Sequence, residues 1–133
     1  MLPGQDHLLR TFAAVPPHAR VLCVGPAADE AAALLLRLGF RTEAAESLEA
    51  LPEGTFDWAA AWTDGPATGA FEALRRALVP GGWAWVAATS ASPEALNFAA
   101  SGAGLAVAEA PSAEAEARVV RAIYRRVGDR VTG

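Results

Sequence analysis

The chain holds 133 residues, which predicts one domain over 1–133 and leaves no room for two. Alanine supplies 33 of them, so the 53% hydrophobic content contains an ordinary share of large apolar side chains, enough to exclude a disordered chain. The net charge of −4 is uneven: residues 1–116 carry 6 Arg against 14 acids, residues 117–133 carry 5 Arg against Asp129 alone, and Lys is absent.

Further exclusions follow from single residues. No apolar run approaches the ~18 residues needed to cross a bilayer. Met1-Leu2-Pro3-Gly4 lacks the basic start and apolar block of a signal peptide. The one cysteine, Cys23, forms no internal disulfide and no thiolate zinc site, so a cytoplasmic chain is expected. His7 and His18 are the only histidines, both expected outside the core. The Arg-rich end is read as a solvated strand and tail rather than a nucleic-acid surface.

Residues 5–15 predict a helix with Asp6 as N-cap; Leu8, Leu9, Phe12 and Val15 fall on one face and Pro16-Pro17 end it. Arg20–Val24, closed by Gly25-Pro26, reads as a central strand buried on both faces. A second helix begins at the acids Asp29-Glu30 and stops at Gly39. Phe40–Ala45 is a strand of weak propensity, and Ser47–Leu51 is one helical turn at most. Phe56–Trp62 forms the third strand, Ala70–Leu78 a helix, Pro80-Gly81-Gly82 a tight turn and Trp83–Ala88 the fourth strand. Pro93–Ala103 is a helix with Pro93 in its first turn. Leu105–Ala110 and Ala117–Tyr124 close the chain as an antiparallel pair. This alternation predicts an α/β fold: a Rossmann-like, doubly wound, mostly parallel sheet with a C-terminal antiparallel hairpin.

The order of these pieces resembles the class I S-adenosylmethionine-dependent methyltransferases over residues 8–124. Pro16-Pro17-His18-Ala19-Arg20-Val21-Leu22-Cys23-Val24-Gly25 is similar to the family's lead-in to its first strand. Gly39–Glu46 resembles its second strand, which ends in an acid, and Phe56-Asp57 the start of its fourth. Leu74–Gly82 resembles the helix and turn before its fifth, and Gly102-Ala103-Gly104-Leu105 the approach to its final hairpin. Only nine residues separate Glu46 from Phe56, where the family fits a helix and a strand, so a truncated sheet without the third strand and its helix is expected.

The resemblance implies S-adenosylmethionine as cofactor, held by Gly25, Ala27, Asp29, Glu46, Trp62 and Thr63. Such a site lies outside the carboxyl ends of the strands, where strand order reverses. Glu46, an acceptor-only group, suits two ribose hydroxyls, and Gly25 permits close approach of backbone to ligand. The family's Gly-x-Gly-x-Gly loop is eroded to Gly25-Pro26-Ala27-Ala28-Asp29. There Ala27 adds a Cβ. Asp29 sets a charge that repels a carboxylate ~4 Å away by about 4 kcal/mol before screening, unless it meets an ammonium or caps the helix. Cys23 replaces the usual acid and is read as a core residue. Trp58, Trp62, Trp83 and Trp85 are read as core bulk, with Trp62 also placed to line or plug the cleft.

Lys is absent, so there is no phosphate loop; the dinucleotide fingerprint and the serine nucleophile elbow are absent too. No metal site and no catalytic residue is indicated. Two readings follow: a small S-adenosylmethionine-dependent methyltransferase whose acceptor the sequence does not name, and a catalytically silent domain of the same fold that binds a partner, similar in kind to the N-terminal domain of anamorsin-type proteins. A receiver-like domain is a third, opposed by Gly25-Pro26 and Trp62-Thr63 where that fold needs acids. With the third strand missing, Phe40–Ala45 becomes a sheet edge, and a homodimer is expected through that edge or the tryptophan region.

Overall fold

A computed structural model describes residues 2–45, 51–65, 68–114 and 119–127. Four helices and six strands occur among them: α1 (Gln5–Phe12), β1 (Arg20–Val24), α2 (Ala28–Arg37), β2 (Arg41–Ala45), β3 (Phe56–Asp64), α3 (Thr68–Ala77), β4 (Leu78–Thr89), α4 (Pro93–Gly102), β5 (Leu105–Glu114) and β6 (Val119–Arg126). The strands form one sheet in the order β2-β1-β3-β4-β6-β5. β2, β1, β3 and β4 run parallel, and β6 lies antiparallel between β4 and β5. This is the doubly wound sheet with a closing hairpin that the alternation predicts, and β2 is its edge.

Two apolar layers hold the sheet. Leu22, Val24, Ala59, Ala61, Val86 and Tyr124 face α3 and α4. Val21, Cys23, Ala60, Trp62, Trp85 and Ala87 face α1 and α2. β1 is therefore buried on both faces, as its β-branched run requires. The layers differ in bulk. Alanines of β3 and β4 meet the alanines of α4, so that helix packs close, whereas tryptophans fill the opposite layer.

Local details depart from the sequence expectations for identifiable reasons. α1 starts at Gly4 (φ 73), not at Asp6, which lies in the first turn. The shift follows from Leu2: its N–H donates to Gln5 Oε1 (3.1 Å) and its carbonyl accepts from Gln5 N (3.0 Å), hooking the segment before the helix. The helix ends at Phe12 and tapers through short turns to Val15, because the residue before Pro16 avoids helical angles. α2 is capped by Ala27 without a side-chain bond, so Asp29 is not its cap; the acid sits in the first turn, where the helix dipole favours it.

Pro80-Gly81-Gly82 does not separate two elements. It bulges inside β4: Phe56 pairs with Leu78 and Trp58 with Trp83, so Asp57 alone stands opposite Val79–Gly82. A Cβ on Gly82 would lie 2.8 Å from the Val79 carbonyl oxygen. Asp57 uses its place at the bulge to accept from Arg20 N–H (3.0 Å), fixing the start of β1. β5 and β6 extend beyond their predicted spans, to Glu114 and Arg126. Of the turn expected at Ser47–Leu51, all but Leu51 lies outside the described residues.

Two buried tryptophans carry polar groups that need partners, and the N-terminal residues supply both. Trp62 Nε1–H donates to the Pro3 carbonyl (2.9 Å), and Trp85 Nε1–H to His7 Nδ1 (2.8 Å). An unpartnered buried donor costs about 1–3 kcal/mol. His7→Ala is therefore expected to lower stability by about that amount, read as a lower urea midpoint with an unchanged slope. Replacement of the exposed Arg10 by Ala should leave the midpoint within about 0.5 kcal/mol of wild type.

Candidate functional site

In a sheet of this kind a ligand lies at the carboxyl end of the strands where the order reverses. The chain runs from β1 outward to β2 and then returns to β3 on the other side of β1, so the reversal lies at the end of β1. A crevice of about 360 Å³ opens there, lined by Gly25, Pro26, Ala28, Asp29 and Ala45. Val24 pairs with Ala45 across β1 and β2, which brings the two loops together.

The six residues expected at the cofactor divide as follows. Gly25 and Asp29 line the crevice. Glu46 follows Ala45 in the chain and lies outside the described residues. Ala27 packs its methyl against the α1/α2 layer, so its Cβ does not crowd the opening. Thr63 does not line the crevice; its hydroxyl donates to the Gly65 carbonyl (3.2 Å). Trp62 is 6% exposed in the α1/α2 layer, against Trp85 with ring centroids 5.3 Å apart. It neither lines nor plugs the crevice. Its indole points to the face that α1 covers, because only there does Pro3 offer an acceptor.

Gly25 has a role the sequence assigns elsewhere. Its φ is 107, and a Cβ built on it would lie 2.3 Å from the Trp62 carbonyl oxygen. The close approach that glycine permits is thus taken up by β3 rather than by a ligand. That backbone contact closes the gap between β1 and β3 and leaves the opening towards β2.

Electrostatically the crevice is acidic. Asp29 is exposed, and no cation lines the opening among the described residues. Amide N–H groups of the first helical turn face the same end, since the first turn lacks intrahelical acceptors. Cys23, where the resembled family has an acid, is fully buried one residue inside β1, and burial raises its thiol from 9.0 to about 12. It is a small apolar core residue, as expected from its strand.

A second and larger cavity, about 570 Å³, lies on the α1/α2 face and is lined among others by His7, Arg10, Trp58, Trp83, Glu109 and Ile123. His7 Nε2 meets Glu109 Oε2 at 2.6 Å. Sequence reasoning sets His7 outside the core and gives Glu109 no role. Their partners lie 78 and 102 positions away in the chain, and no local pattern signals such contacts.

No family model matches the chain, and no curated protein matches it. Solved structures match it in three dimensions. A TehB-like SAM-dependent methyltransferase from Corynebacterium glutamicum superposes with a TM-score of 0.67 at 13% identity, over 97% of this chain and 89% of that one. The Haloferax volcanii complex of the Trm112 methyltransferase activator with a methyltransferase matches with a TM-score of 0.67 at 13% identity, over 93% of this chain and 92% of that one. The [4+2]-cyclase SpnF matches with a TM-score of 0.61 at 15% identity, over 93% and 81%. At such identities the likeness is one of fold. The chain has the Rossmann-like fold of SAM-dependent class I methyltransferases, and the cyclase illustrates that this fold hosts other reactions.

Two measurements check the site's construction. Gly25→Ala and Gly39→Ala both place a side chain at positive φ (107 and 101), but only the first meets an atom, the Trp62 carbonyl, within 4 Å. Gly39→Ala should cost about 1–2 kcal/mol, and Gly25→Ala distinctly more or prevent folding. Cys23 should resist a disulfide thiol reagent in the native protein and react once unfolded in guanidinium. Because the folded thiol is raised from 9.0 to about 12, its contribution to stability is complete below pH 9 and declines as pH rises towards 12.

Proposed function

We propose that this chain is a small S-adenosylmethionine-dependent methyltransferase-like protein whose cofactor crevice persists in reduced form. The observation that carries the reading is the open crevice at the end of β1, beside the start of α2. The two side chains that threatened it from the sequence, Ala27 and Trp62, are both turned into the α1/α2 layer. Its volume, about 360 Å³, falls within the range of small-molecule sites. Gly25, Asp29 and, after Ala45, Glu46 are the residues we assign to the ligand, with Glu46 on the ribose hydroxyls.

When bound, this cofactor supplies a methyl group already activated on a sulfonium, so the protein's part is binding and orientation rather than acid–base chemistry. Asp29 suits the cofactor's cationic groups better than its carboxylate, and as an exposed group it acts through solvent-screened attraction. A second reading, a silent domain that binds a partner, rests on Gly25: its freedom serves the Trp62 contact, and the loop keeps no further glycine.

We further propose that the chain self-associates through β2. This strand lies at the sheet's end with β1 as its only strand neighbour among the described residues, leaving one row of backbone groups unpaired. In the alternative surface, the tryptophan region, Trp62 and Trp85 are buried and Trp58 and Trp83 are partly exposed. No helix among the described residues is long and apolar enough to cross a membrane.

S-adenosylmethionine at 100 times its dissociation constant should stabilise the protein by about 2.7 kcal/mol, a rise of several degrees in Tm. S-adenosylhomocysteine, which lacks the sulfonium charge, should bind more weakly, and Asp29→Asn should narrow the difference. No shift with either compound at millimolar concentration would favour the silent domain. Light scattering should give twice the monomer mass; a monomer at high concentration would refute the edge pairing.

A further inference from the structure

The edge strand β2 carries a pattern that its own copy satisfies. Arg41 N–H donates to the Ala19 carbonyl (3.1 Å), so the backbone groups of Arg41, and by alternation those of Glu43 and Ala45, point to β1. Those of Thr42 and Ala44 point outward from the sheet. Side chains alternate as well, from one face of the sheet to the other. The Thr42 hydroxyl donates to the Ala32 carbonyl (3.0 Å), which places Thr42 on the α2 face, whereas Ala45 packs on the α3/α4 layer. Arg41 and Glu43 share the face of Ala45. Both are exposed, and neither has an ion-pair partner among the described residues.

Backbone direction and charge together restrict how two copies join. Two β2 edges related by a two-fold axis normal to the sheet run antiparallel, and a residue with outward groups must face another of that kind. The axis therefore passes through a residue of the strand rather than between two. At Glu43 it sets two carboxylates face to face, and at Arg41 two guanidinium groups; like charges directly opposite destabilise a pair. At Ala44 it sets Glu43 opposite an alanine. At Thr42 it sets each Arg41 opposite the partner's Glu43, in a non-hydrogen-bonded position where side chains come closest.

We propose that β2 pairs antiparallel with a second copy of this chain about a two-fold axis at Thr42, locked by reciprocal Arg41–Glu43 pairs, so that the partner flanks each crevice. The inference rests on the self-association through β2 proposed above, to which it adds orientation, register and the partner's place at the crevice. Thr42 and its copy exchange two backbone hydrogen bonds, and both α2 helices lie on one face of the joined sheet. On α2, Ala28, Ala31 and Leu35 are buried and Ala32 meets Thr42, so Leu36, one turn beyond Ala32 on that flank and 62% exposed, turns towards the partner's helix. Ala45 lines the crevice and in this register lies opposite the partner's Gly39, beside the partner's Leu38, a side chain 53% exposed in the single chain. The crevice opens towards β2, so each copy gives the other's crevice an apolar flank.

The test places a cysteine on the axis of the full chain. Opposite residues of a hydrogen-bonded pair have Cα atoms about 5.5 Å apart, within the ~4.4–6.8 Å that a disulfide spans, and Cys23 is buried and adds no background. Thr42→Cys should oxidise to a covalent dimer on non-reducing electrophoresis. Ala44→Cys, whose copy lies four residues or ~13 Å away, should not. Arg41→Glu and Glu43→Arg should each raise the dimer Kd at least about tenfold in light scattering on dilution, because the axis doubles each like-charge pair, and the double variant should return it to near the wild-type value. A mixture of Leu38→Cys chains with Ala45→Cys chains should be joined by a short bismaleimide, and neither chain alone should be. A wild-type dimer that Thr42→Cys does not lock, or whose affinity the double variant does not restore, overturns the register and leaves edge pairing standing. Failure of the Leu38–Ala45 link overturns the partner's place at the crevice, and a wild-type monomer overturns both the register and the self-association beneath it.

Discussion

Two indole N–H groups buried on one face of the sheet constrain the rest of the molecule. A buried donor must find an acceptor or destabilise the fold, and for both indoles that acceptor lies outside the sheet. The acceptors come from the first seven residues: the Pro3 carbonyl for Trp62 and His7 Nδ1 for Trp85. These bonds set α1 and its leading hook against the sheet. They draw Trp62 away from the carboxyl ends of the strands, and they lay His7 and Arg10 along one wall of the larger cavity.

The two cavities are consequences of the same packing at opposite ends of the strands. At the carboxyl end, the Trp62 carbonyl sits where any side chain at position 25 would go, so β1 and β3 close on each other and the opening shifts towards β2. Towards the amino end, the bulge of β4 opposite Asp57 restores register at Trp58 and Trp83, and the two indoles stack. The first opening is acidic and sits beside a helix start; the second is aromatic and is lined by Arg10, His7 and Glu109. Their chemistries call for different ligands, and the fold by itself chooses neither.

Two of the six residues expected at the crevice line it, and side-chain direction was not legible in residue order. Gly25 at a strand end and Asp29 in the following helical turn reach the crevice as expected. Trp62 does not, because a strand residue's face is set by its register with neighbours, and the competing acceptor for its N–H lies 59 positions earlier. Ala27 looked like an obstruction in a glycine pattern, yet α2 begins one residue later and turns its methyl into the core. The whole of the His7, Trp85 and Glu109 chain was invisible, since it joins residues from the helix before β1, from β4 and from β5.

Amino-acid order alone determined the alternation of helices and strands, the central place of Arg20–Val24 with Val21–Val24 buried, the closing hairpin and the edge position of β2, because these depend on periodicity, turn residues and the length of a connection. Tertiary structure decided which way the tryptophans face, what Gly25 touches, and that a second cavity exists. Those outcomes depend on long-range hydrogen bonds and packing between segments distant in the chain, and no local pattern carries information about a partner that only folding brings near.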